Sequence, residues 1–170
     1  MKYVKPYNLY KAMEQKGREI ARRQALREYS SLVGINILEE CFSVAITHQQ
    51  FDFVALYCCL DRKKLSINKI ANKLRDIVFV NNVAGFVIGL PNTKNKENPE
   101  VAKVKSFVDD LANTGKLEGL KYTYREQMCA SKDMDVLSER QYALHKFNEM
   151  QSGVGVLAGF LDRYDKQMMN

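Results

Sequence analysis

Four cysteines, at positions 41, 58, 59 and 129, and two histidines, His48 and His145, are this 170-residue chain's soft and borderline metal ligands. No cysteine pair has zinc-knuckle spacing, and adjacent Cys58 and Cys59 sit in an apolar, strand-like run. These spacings read as reduced core thiols. Two imidazoles are too few for a histidine-based zinc centre. The charged residues are more telling. The first 29 residues carry eight Lys or Arg against Glu14, Glu19 and Glu28, which is +5 of the chain's formal +6. Arg18 and Arg22 are one helical turn apart and Arg23 broadens the same face, a spacing suited to a phosphate backbone. A modest positive charge permits a polyanion partner without requiring one. One further polar residue stands out. Asn36 falls near the end of an apolar strand, where a sheet's functional side chains often emerge.

The elements that must position these residues follow from hydrophobic period. Val33, Ile35 and Ile37, then Phe42, Val44 and Ile46, alternate as in a pleated sheet, so 32–37 and 42–47 are read as a hairpin. Residues 51–60 are a third strand. Ser66 stands where it can cap a helix over 67–80, whose buried side is Ile70, Leu74, Ile77 and Val78. The run 83–88 is apolar at every position, which predicts a central strand with both faces covered; Gly89-Leu90-Pro91 stops it. Pro99 opens a helix over 99–112, and the 66–80 and 99–112 helices are expected to cover the central strand's two faces. A short strand over 120–124, a weaker helical segment over 133–145 and a final helix over 150–164 complete the chain. At the start, 7–29 reads as a basic helix with Leu9, Met13 and Ile20 on an imperfect apolar stripe, lying on a sheet edge. The result is an α/β fold with a mixed sheet, divided into an N-terminal basic extension over 1–30 and a domain over 31–170. With 46% hydrophobic and 27% charged residues the composition suits a soluble protein, and no run approaches the roughly 20 apolar residues of a membrane span. No apolar secretory segment opens the chain. The expected location is intracellular, in the cytoplasm or an organelle.

The strand running into Gly89-Leu90-Pro91, the spacing from VGIN (33–36) to SVAI (43–46), and the strand 121–124 together resemble the YqgF/RuvX-type family of ribonuclease H-like proteins. That group includes proteins described as Holliday-junction resolvases and pre-16S ribosomal RNA nucleases. The resemblance covers about residues 31–165, and the opening MKYVKP is similar to plant members. It implies a ribonuclease H-like fold: a mixed five-stranded sheet, its first three strands antiparallel, flanked by helices. It also implies a site where acidic side chains from the first strand, a later strand and the last helix hold Mg²⁺ or Mn²⁺ beside a phosphodiester.

Residue by residue, the resemblance puts Asn36 in the place of the first aspartate, with Leu38 and Ser43 replacing two motif glycines. An ungapped match gives Glu126, Gln127 and Met128 for the Asp-Glu-Arg run after the later strand. A one-place shift gives Arg125, Glu126 and Gln127 instead. The third acid falls on Glu149 by one count and on Asn148 by another. The metal ligands that remain are then Glu126 and Glu149.

Three functions compete. One is a divergent relative, a pseudoenzyme without strong cleavage activity and so without a metal cofactor, that binds structured RNA, branched DNA or a nucleic-acid-associated partner. The second is an active metal-dependent endonuclease processing ribosomal RNA precursor or branched DNA, with Glu126 and Glu149 helped by Asp133 or Asp135. The third is a protein-binding assembly factor or scaffold.

Overall fold

The computed structural model describes residues 1–23, 30–48, 53–91, 98–127 and 139–168. Six strands form one sheet: β1 (Lys2–Tyr3), β2 (Ser31–Ile37), β3 (Cys41–His48), β4 (Phe53–Asp61), β5 (Val83–Pro91) and β6 (Lys121–Gln127), in the order β1-β6-β5-β2-β3-β4. The β2–β3 and β3–β4 pairs are antiparallel, whereas β2–β5, β5–β6 and β1–β6 are parallel. The antiparallel meander and the central, apolar β5 agree with the sequence reading. The sixth strand, β1, was not expected. It is two residues long, so no periodicity marks it, and its place beside β6 is set by the Lys2 N–H to Leu120 O and Val4 N–H to Tyr122 O bonds.

Four helices connect the strands: α1 (Pro6–Arg23), α2 (Ile67–Val80), α3 (Pro99–Asn113) and α4 (Glu139–Met168). Contrary to expectation, α2 and α3 do not cover opposite faces. Ile70, Leu74 and Ile77 of α2 share one core with Val104, Val108 and Leu111 of α3, against Val33, Ile35, Phe86 and Ile88 of the sheet. The reason is topological. The β4–α2–β5 and β5–α3–β6 crossovers step across the sheet in the same direction, so right-handed connection puts both helices on one face. The β1–α1–β2 crossover steps the other way and lands α1 on the opposite face. There Leu9, Tyr10 and Met13 pack with Val156, Leu157, Phe160 and Leu161 of α4 over Leu32, Ala45 and Val87.

Helix α1 therefore covers a sheet face rather than lying on an edge. Leu9 and Met13 are fully buried, and residues 1–23 are built into the same core as the rest of the chain. Ser66 stands at the N-cap of α2 but makes no side-chain cap bond, whereas the Asn98 side chain accepts from the Glu100 N–H at the start of α3. The two segments read as 133–145 and 150–164 are one helix from residue 139 on, which continues through Gly153, Gly155 and Gly159.

Candidate functional site

Strand alternation decides which side chains can meet. Leu32, Gly34 and Asn36 of β2 turn to the α1/α4 face, while Val33, Ile35 and Ile37 turn to the α2/α3 face. Asn36 is 5% exposed and pairs in register with Ser43 of β3. The backbone N–H of Gly153 in α4 donates to Ser43 Oγ at 3.0 Å. The contact is close: a Cβ on Gly153 would stand 2.9 Å from the Ser43 carbonyl oxygen. Ser43 thus anchors the last helix, and the close approach of helix and sheet is made at a glycine of the helix.

One residue beyond the Ile35–Ile88 pairing, Asn36 is level with Gly89, and Gly89 pairs with Arg125 of β6. Asn36 and Arg125 are therefore two strands apart at one height, about 10 Å between Cα atoms by ordinary strand spacing. Arg125 turns to the α4 face, and its guanidinium lies against Gly159, where a Cβ would collide with it. Partial burial, then the nearby Arg163, push the Arg125 pKa down; Asp162 and Tyr164 oppose this.

The remaining candidates do not converge on this row. Glu126 follows Tyr122 and Tyr124 in the alternation, so it belongs to the α2/α3 side, and it is exposed. Residues 125–127 lie within β6, not in a loop after it. Gln127 ends the strand with the parity of Arg125 and Asn36. Position 149 is one helical turn before Gly153, whereas Asn148 falls towards the far side of α4 and is exposed. The side chains of Gln127 and Glu149 lie outside the described residues, as do Met128, Asp133 and Asp135.

A hard divalent ion requires several oxygen ligands, mostly carboxylates. The described row instead offers an amide, a hydroxyl engaged with Gly153, and a guanidinium. Among the described residues no three His, Cys, Asp or Glu side chains gather to hold a metal. These donors do not fit Mg²⁺ or Mn²⁺. Sequence reasoning named Arg125 only in the shifted match and Ser43 only as a replaced glycine, and missed what each contacts. Extending the strict alternation of β6 through residue 127 is the signal that would have put Arg125 on the face of Asn36.

The opposite end of the sheet is open and basic. Lys16 Nζ donates to the carbonyl oxygen of Val83, the first residue of β5, at 2.8 Å. A cavity of about 380 Å³ opens there between α1, α2 and the loop into β6. Arg18 and Arg22 follow Lys16 on α1 and are exposed, Arg18 standing 3.9 Å from Glu14. Arg23 ends the helix, with its side chain outside the described residues. From Val83 to Gly89 is six residues, about 20 Å along the strand. The basic half of α1 and the Asn36 row are therefore separate places on the molecule.

No protein-family model matches the chain. A curated protein of Novosphingobium aromaticivorans named "Putative pre-16S rRNA nuclease" is 30% identical over 94 residues, which is 55% of this chain and 59% of that protein. Two solved structures cover most of the chain at low likeness. Thermus thermophilus RuvC in complex with a Holliday junction substrate has a TM-score of 0.48 at 9% identity, covering 81% of this chain and 97% of its own. The fowlpox virus Holliday junction resolvase has a TM-score of 0.43 at 10% identity, covering 81% of this chain and 99% of its own. The antiparallel meander, the parallel β5 and β6, and the helices on both faces give this chain the ribonuclease H-like fold.

Proposed function

We propose that the chain is a divergent YqgF-type protein that binds structured RNA or branched DNA and has lost strong metal-dependent cleavage. The observation that carries this reading is Arg125. Its guanidinium shares a sheet face and a strand height with Asn36, where a two-ion centre would need converging carboxylates, while Glu126 turns to the other face. A fixed cation repels Mg²⁺ and attracts phosphate, so the exchange favours holding a polyanion over cutting it. The exposed Arg18 and Arg22, with Arg23 at the end of α1, supply further positive charge for the backbone.

The test is a cleavage assay on structured RNA and a four-way DNA junction with Mg²⁺ or Mn²⁺, run beside Glu126→Ala and Glu149→Ala. The expected result is binding that weakens steeply with salt, and no turnover above background in any of the three proteins. Robust turnover abolished by either substitution would establish the active endonuclease instead.

A further inference from the structure

The cavity at the amino end of β5 and β6 has a composition that the Asn36 row does not explain. Lys16, Arg75, Lys116 and Lys121 line it, with Glu118 as the carboxylate among its described lining residues. Phe79 also lines it, yet is 84% exposed, an unusual position for a phenyl ring. Arg75 and Phe79 are four residues apart on α2 and so share one helix face about one turn apart; the exposed Asp76 carboxylate meets the Arg75 guanidinium at 3.4 Å, a surface pair that a phosphate can displace. Among the described residues Lys116 Nζ donates to the Asn68 carbonyl oxygen, at 3.4 Å, and forms no ion pair, which leaves its charge available. Gly119, at φ +75°, borders the cavity with nothing within 4 Å of where a Cβ would stand, so backbone as well as side chains is open to a ligand.

We propose that this groove takes a single-stranded segment of nucleic acid, with phosphates on Arg75, Lys116 and Lys121 and one base stacked on Phe79. The proposal rests on the nucleic-acid-binding reading above and names where that binding occurs. The charge of the lining calls for a polyanion. An exposed ring amid cations adds the π-face that unpaired bases use, and a duplex keeps its base faces stacked inside. The groove extends along α1, because Lys16 and Lys121 line both this cavity and the smaller one beside Gln15 and Glu19. An acidic peptide would satisfy the cations but has no comparable use for the ring.

The test measures fluorescence anisotropy of a labelled mixed-sequence 12-mer, free and annealed to its complement, with the full chain over a range of salt. Phe79→Ala is expected to weaken single-strand binding about tenfold while leaving the salt slope unchanged. Lys116→Gln with Lys121→Gln is expected to reduce the slope by about 1.4, two phosphates at about 0.7 each. Circular dichroism melts of both variants should match the wild type, since all three side chains are at the surface. If the wild type binds the 12-mer and both variants bind it equally well, the groove is not the site, while the nucleic-acid reading stands. If the wild type binds neither form of the 12-mer nor structured RNA, both fall. A polyglutamate peptide that binds in a Phe79-dependent way and is not displaced by the 12-mer would make the groove a peptide site and overturn the proposal.

Discussion

The two ends of the β5–β6 pair differ in how the chain uses space. Towards the carboxyl end the sheet is pressed against α4: at mid-strand, level with Val87, a Cβ on Gly34 would stand 2.6 Å from Leu157 Cβ and 2.7 Å from the Gly153 carbonyl oxygen, and beyond it Gly153 meets Ser43. At the amino end, a cavity of about 380 Å³ remains open beside an exposed phenyl ring. Each end also holds a partly buried cation whose pKa burial pushes down, Arg125 in one case and Lys16 in the other. Arg125 puts a positive charge on the packed face of the sheet, while a second basic surface lies about 20 Å away by strand length.

Substitutions can break this contrast, and the largest effect should come from the closed end. Gly34→Ala has no room to relax except by moving α4, and is expected to cost about 2–3 kcal/mol, read as a shifted denaturant midpoint. Ser43→Ala removes the hydroxyl that accepts from the Gly153 N–H and ties β3 to α4, and should cost about 0.5–1.5 kcal/mol. At the open end, Phe79→Ala should leave stability within about 0.5 kcal/mol of the wild type. A large destabilisation by Phe79→Ala, or none by Gly34→Ala, would erase the distinction between the ends.

The smallest expected effect concerns Lys16 and pH. Its folded pKa lies below the ordinary 10.5 because of burial. In the window between the folded value and 10.5, the unfolded chain holds more protons than the folded one. Stability linked to this group therefore rises with pH there. Thermal melts should show the wild type gaining on Lys16→Met as pH approaches 10.5. A gap that is constant or moves the other way would mean that the ammonium is not desolvated against Val83.

Much of this arrangement was legible in the chain. The apolar run over 83–88 gave the central strand, alternation gave the hairpin, and three- and four-residue steps gave α2 and α3. What escaped depended on contacts between distant elements. Strand order decides that α2 and α3 share a face, and strand order is not written in local period. The final helix was read through its glycines, but not what they make room for: Gly153 and Gly159 are the places where β3 and Arg125 come close. The candidate site was legible only in part. Asn36 announced the loss of an aspartate. The face that Glu126 takes was not legible because the strand was ended at Tyr124, so its alternation was not carried on to residue 127. The basic groove draws residues from α1, α2 and the loop into β6, and no single stretch of sequence contains it.

The central claim is that the carboxyl end holds a guanidinium where a divalent ion would be expected. Titrating Mn²⁺ into ¹⁵N-labelled protein and following amide signals by NMR tests it directly, since a bound paramagnetic ion broadens its neighbours. No selective broadening of Gly34, Asn36 and Gly89 is predicted at Mn²⁺ concentrations up to about 1 mM, a range that hard carboxylate sites readily bind. Selective loss of those three signals at lower Mn²⁺, abolished by Glu149→Ala, would contradict the account and restore the metal-dependent site.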